Sequence, residues 1–219
     1  MPIGNDPRTL RNDHAGNQAA DPDDPLQLQR LLSDILANRR GVHAECEPDS
    51  PLNELAREFF ANNWAMCQAN LLGKTKILRV VPEPLAALRA FHFELDRPYK
   101  RRRSTAAGVE LMPGPIRGII SYRTNLFQQP DGVHIAVQVD PQLDYCHPNC
   151  VRGRGLICLG NLPPSPFPLP LDLLIENHIY PILTYQNITP SDALDRDASL
   201  YFAFEPSALD GLTPVPPLY

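Results

Sequence analysis

The chain has 219 residues, enough for one substantial hydrophobic core with extensions. It is 43% hydrophobic and 21% charged, an ordinary globular composition, and its net charge of -5 argues against nucleic-acid binding driven by a bulk positive field. Twenty-five prolines against twelve glycines point to fixed turns and strand boundaries rather than a helical bundle.

Residues 1–23, rich in Asp, Asn, Gly and Pro, read as a disordered or loosely docked arm. They hold no apolar signal core, and no stretch of the chain approaches the roughly 18 apolar residues of a membrane span, so a reducing cytoplasm is the expected compartment. Asp24-Pro25 is a helix start, and Leu28, Leu31, Leu32, Ile35 and Leu36 follow at helical spacing to Gly41. This predicts an extra N-terminal helix and linker over residues 24–49. Ser50-Pro51 repeats the start signal, and Leu52, Leu55, Phe59 and Phe60 share one face of a second helix that runs towards Gly73.

Beyond Gly73 the period shortens to two. Ile77 to Val81 is a short apolar strand bounded by Pro82 and Pro84. Phe91, Phe93 and Leu95 then alternate with His92 and Glu94. Arg117 to Leu126 is a third strand. Pro130-Asp131-Gly132 is a turn, and Val133 to Val139 is a fourth strand with Ile135, Val137 and Val139 on one face. Four successive strands joined by turns predict an antiparallel meander. Asp144 to Pro168 has little periodicity. Pro170 opens a helix in which Pro181 must cause a bend or an end. Ser191 to Phe202 is a short final helix, and residues 205–219 form a proline-rich tail, with Pro214 to Pro217 read as disordered rather than as a ligand for a proline-binding domain. The fold class is α+β, a four-stranded antiparallel meander with flanking helices, and residues 50–204 form its main domain.

Chemistry concentrates in the aperiodic stretch, where Cys146-His147-Pro148-Asn149-Cys150 is followed by Gly155-Leu156-Ile157-Cys158-Leu159. A cysteine thiolate is the strongest covalent nucleophile available near neutral pH. Leu156, Ile157 and Leu159 make a semi-buried platform around Cys158. Asn149 supplies a neutral amide donor for an oxyanion if the loop folds back, and His147-Pro148 would hold the turn. No histidine is evident as a general base, which fits transfer between thiol and amine better than hydrolysis.

Other readings use the same residues. Cys46 and Cys67 read as packing residues, and five cysteines in all do not form a secreted disulfide framework. Cys146-x-x-x-Cys150 is one zinc hook, but a second is missing, so no metal is expected. Lys100-Arg-Arg-Arg103 reads as a solvated loop, or as a contact to an acidic partner.

The His147-Pro148-Asn149 turn, the Ile157-Cys158-Leu159 platform and Pro190-Ser191-Asp192-Ala193-Leu194 together resemble the signature of the ubiquitin-conjugating enzymes. The resemblance covers about residues 50–204, including the helix and meander before the motif and Ser165-Pro166 with a helix after it. It implies a ubiquitin-conjugating-enzyme-like fold and an acyl-carrier role for Cys158. Asn149 would stabilise the oxyanion, and Asp192 would orient the attacking amine or else only cap a helix. It implies as partners a ubiquitin-like protein, an activating enzyme that consumes ATP and a target protein, with no cofactor, nucleic acid or membrane. Gly160 stands where the family usually has Asp, and the helix at 51–72 has few basic residues for docking an activating enzyme. These departures resemble a divergent bacterial member, the conjugating component of an operon linked to phage defence. A non-catalytic binding module of the same fold, and a cysteine hydrolase or zinc protein of unrelated fold, are the rival readings.

Overall fold

The computed structural model describes residues 51–103, 108–123, 135–160, 162, 168–188 and 193–219. The arm at 1–23, the helix at 24–40, Cys46, the turn at 130–132, Ser165-Pro166 and Asp192 lie outside the described residues.

Helix α1 (Pro51–Cys67) continues as a π-turn over Gln68–Leu72 and stops at Gly73. Its inward stripe is Phe60, Asn63, Cys67 and Leu71. Phe60 meets Tyr122 edge-on at 5.5 Å, and Trp64 stacks on Phe91 at 5.4 Å. Asn63 is the polar exception on this stripe. Its Oδ1 accepts the Leu171 amide at 2.6 Å, satisfying a first-turn donor where Pro170 offers no side-chain cap.

The strands are β1 (Leu78–Pro82), β2 (Ala90–Leu95), β3 (Tyr99–Arg102), β4 (Val109–Met112), β5 (Ile116–Tyr122), β6 (Ile135–Val139) and β7 (Leu156–Ile157). Five of them form one antiparallel sheet in the order β1-β2-β5-β6-β7. The four strands of the expected meander are therefore spatial neighbours in chain order, although a separate β3–β4 hairpin is inserted in the middle. Registers run Pro82↔Phe91, Phe91↔Ile120, Ile120↔Val137 and Val137↔Ile157, so one row crosses the whole sheet. Phe91, Phe93, Leu95, Ile116, Ile120, Val137 and Val139 point inward as the period-two pattern requires.

Helix α2 covers this face. It has α-helical turns at Leu171–Leu174 and Tyr180–Leu183 around a π-turn at Ile175–Ile179. Ile175, Ile179 and Leu183 face Leu78, Phe93, Leu95 and Ile120. The π-turn explains how the helix passes Pro181. Proline has no amide hydrogen and its ring collides with the carbonyl four residues back, so a wider turn just before it removes the conflict. The helix does not stop at Pro181 but runs on to Leu183.

Three further expectations are corrected. The basic run is a strand rather than a solvated loop: Lys100 is buried with its Nζ on the Asp210 carbonyl at 3.0 Å, and Arg101 and Arg103 both reach Glu110. The last helix, α3, starts at Arg196 and runs to Phe204, with Asp195 as its cap. The proline-rich tail is packed, with Leu212 and Leu218 in the core. Arg97 donates to the carbonyls of Leu212 and Pro214, and the Tyr180 hydroxyl donates to that of Pro216 at 2.6 Å.

Candidate functional site

The hairpin strand β3 positions the site. The Cys146 amide donates to the Lys100 carbonyl at 2.8 Å, the Arg102 amide donates to the Asp144 carbonyl at 3.0 Å, and Tyr145 bridges to Arg101. These bonds fix the chain entering His147-Pro148-Asn149.

His147 makes the turn that follows. Its Nδ1 accepts the Asn149 amide at 3.0 Å, and its carbonyl accepts the Cys150 amide at 3.1 Å. The ring is fully buried among aromatic side chains, stacked on Tyr145 at 5.9 Å and tilted against Tyr185 at 5.2 Å. Burial lowers its pKa from 6.5 to about 3, so the ring is neutral at physiological pH and the proton sits on Nε2. With Nδ1 occupied and Nε2 enclosed, His147 shapes the turn and is not a general base.

After the turn the chain doubles back. Cys150 bridges antiparallel to Ile157, and the Val151 amide donates to the Leu156 carbonyl at 2.8 Å. One step in the other direction, the Cys158 amide donates to the Asn149 carbonyl at 2.8 Å. Asn149 and Cys158 are thus directly opposed on this short ladder, and opposed residues project to one face with Cβ atoms about 4.5–5.5 Å apart. The return depends on Gly155, whose φ is +67°. A Cβ there would lie 2.0 Å from the Val139 carbonyl oxygen, so only glycine lets β7 seat against β6.

The cysteines divide by access. Cys67, Cys146 and Cys150 are buried, and burial raises their pKa values to about 12, 11 and 12. Cys158 is half-exposed, the only one of the four described cysteines with access to solvent. Ile157 beside it is buried, while Leu156 and Leu159 are half-buried, so the thiol stands on an apolar platform. The Asn149 side chain is largely buried and its Nδ2 donates to the Asn187 carbonyl at 3.2 Å, which leaves one amide hydrogen for another acceptor. Among the described residues no three His, Cys, Asp or Glu side chains are grouped to hold a metal ion.

The sequence reading missed Asp195 and Arg102. Asp195 donates its amide to the Pro148 carbonyl at 3.0 Å, accepts the Ala198 amide on Oδ1 at 3.0 Å, and pairs through Oδ2 with Arg102. A buried carboxylate therefore joins the His-Pro-Asn turn, the start of α3 and the hairpin. The available signal was an aspartate three residues before Ala198, at the start of a helix with Asp197 in its first turn. Asp192, the residue expected in this part of the chain, is outside the described residues.

No protein-family model matches the chain, and no curated protein matches it either.

Proposed function

We propose that this chain is a ubiquitin-conjugating-like acyltransferase that carries the C-terminus of a ubiquitin-like protein as a thioester on Cys158. The observation that carries the reading is that Cys158, with its half-exposed thiol, and Asn149 occupy opposed backbone positions across one hydrogen-bonded step. The α+β architecture supports it, with α1 before the antiparallel sheet and α2 after the cysteine. The likeness of its His-Pro-Asn and Ile-Cys-Leu segments to the family supports it too, and extends the proposal to a bacterial antiphage conjugation system.

The Cys158 thiolate attacks the thioester carbonyl presented by an activating enzyme. A new C–S bond forms, and the enzyme's own C–S bond breaks to release its thiolate. A target amine then attacks the Cys158 thioester. The C–N bond forms, the Cys158 thiolate departs, and the amine proton passes to solvent. The free hydrogen of the Asn149 amide is the donor for the oxyanion of each tetrahedral intermediate. Orientation of the amine is assigned to Asp192.

The test is to mix the chain with a candidate activating enzyme and ubiquitin-like protein, shown to be active with each other, plus ATP. The expected product is an adduct that thiol reagents cleave and that Cys158→Ala abolishes. Active partners with no adduct would leave a binding module of the same fold as the better account.

A further inference from the structure

The chain contains three lysines, Lys74, Lys76 and Lys100, against seventeen arginines. A carrier of an activated acyl group is exposed to attack by its own amines, and arginine is not an acylation acceptor at neutral pH because it stays protonated. A low lysine count by itself is only composition. The placement of the three is more informative.

Lys74 and Lys76 are exposed in the turn before β1. Strands β1 and β7 are the two opposite edges of the sheet, four strand spacings apart, which is about 19 Å. The row Pro82–Phe91–Ile120–Val137–Ile157 sets the level along the strands. Cys158 lies one step past Ile157, beyond the Pro82 end of β1, whereas Lys74 and Lys76 precede Leu78 at the other end of that strand, which is about 13 Å away along it. Together the two offsets separate the backbone of these lysines from that of Cys158 by more than about 20 Å, across a sheet whose inner face is core. Lys74 also has its Nζ over the Tyr219 ring, 5.6 Å from the centroid.

Lys100 is nearer, since its carbonyl accepts the Cys146 amide at 2.8 Å. The residue is 6% exposed, and Nζ donates to the Asp210 carbonyl at 3.0 Å. The one amine close to the site is therefore turned into the tail and buried. The other positive charges at the cysteine loop, Arg102 on Asp195, Arg152 on Asp197 and Arg154 within the loop, are all arginines.

We infer that the fold insulates the Cys158 thioester from every lysine of its own chain, so that the acceptor amine is supplied by a second molecule. This rests on the carrier reading of Cys158. On this inference discharge to an amine waits for a bound target.

The experiment loads Cys158 directly with a short peptide ending in glycine, supplied as a mercaptoethanesulfonate thioester. Exchange forms the Cys158 C–S bond and releases the small thiol, so no partner enzyme is needed. The loaded full chain is held near neutral pH, and thiol-resistant amides are mapped by mass spectrometry. The native chain is expected to keep its label as thioester, with no amide on Lys74, Lys76 or Lys100. Asn187→Lys adds a flexible amine at an exposed residue whose main-chain carbonyl accepts from the Asn149 side chain, so that its reach covers the site. This variant is expected to form an internal amide at least about a hundredfold faster than the native chain, because a tethered amine acts at high effective concentration. An amide on any native lysine overturns the inference. So does the absence of amide in Asn187→Lys, which would show that distance is not what protects the thioester. Failure of Cys158 to load at all would instead count against the carrier reading.

Discussion

The Cys158 amide and the Asn149 carbonyl are hydrogen-bonded at 2.8 Å, so a residue from the His-Pro-Asn turn and the half-exposed thiol occupy opposed positions on one ladder. The contact is between main chains, so it survives a change of either side chain. That separates the placing of the thiol from the chemistry of the amide.

Asn149→Ala should therefore leave Cys158 seated and still able to accept an acyl group. Discharge to an amine should slow by about 10²–10³, the cost of losing one oxyanion donor worth about 2.7–4 kcal/mol. Single-turnover discharge of preloaded chain measures this apart from loading. An unchanged discharge rate would reduce Asn149 to its bond with the Asn187 carbonyl.

His147 makes stability depend on pH in a defined window. Its pKa is about 3 in the fold against 6.5 when unfolded, because burial penalises the charged ring. The unfolded chain thus takes up a proton that the folded chain does not. The His147 contribution is present above pH 6.5 and is lost as pH falls from there towards 3, at up to about 1.4 kcal/mol per pH unit. Urea melts across that range should show the loss. His147→Phe keeps an aromatic ring in the cage but orphans the Asn149 amide, so it should cost about 1–3 kcal/mol at neutral pH and flatten the His147 part of the acid limb.

How legible each part was follows from how local its cause is. Phe91, Phe93 and Leu95 announce β2 because one buried face forces alternation, and this needs no knowledge of the partner strand. The approach of Asn149 to Cys158 was legible through a short motif. The hairpin was not, because Tyr99-Lys-Arg-Arg is polar, and its charges are satisfied by groups far along the chain, the Asp210 carbonyl for Lys100 and Asp195 for Arg102. The tail was misread for the same reason. A proline-rich segment looks unstructured until Arg97 and Tyr180 are found donating to its carbonyls.

The Arg102–Asp195 pair should be the most sensitive long-range tie to the site. Both side chains are largely buried, and the Asp195 amide holds the Pro148 carbonyl. Asp195→Asn keeps a competent helix cap but leaves Arg102 without its carboxylate, and breaking a buried pair in this way costs about 3–5 kcal/mol. Asp195→Ala should cost about 1 kcal/mol more through the lost cap. Denaturant melts give the stability. Iodoacetamide labelling of Cys158 under native conditions, followed peptide by peptide, shows whether the turn has moved. A large stability loss with an unchanged labelling rate would make the pair a brace for the fold that does not set the thiol's position.

The tail supplies a prediction opposite to that for a disordered extension. Leu218 is buried, the Tyr180 hydroxyl is committed to the Pro216 carbonyl, and the Tyr219 hydroxyl meets Glu176 on the π-turn of α2. Removing residues 214–219 strips the apolar cover of one leucine and leaves the Tyr180 hydroxyl without its acceptor. The expected loss is about 2–4 kcal/mol, from the burial of one large aliphatic side chain and a hydrogen bond of ordinary strength. The same truncation leaves the Asn149–Cys158 ladder untouched, because none of its hydrogen bonds involves the tail. Thermal melting should therefore shift while native-state labelling of Cys158 at low temperature does not. Truncation with no change in melting temperature would show that the docked tail contributes nothing to the fold it lies on.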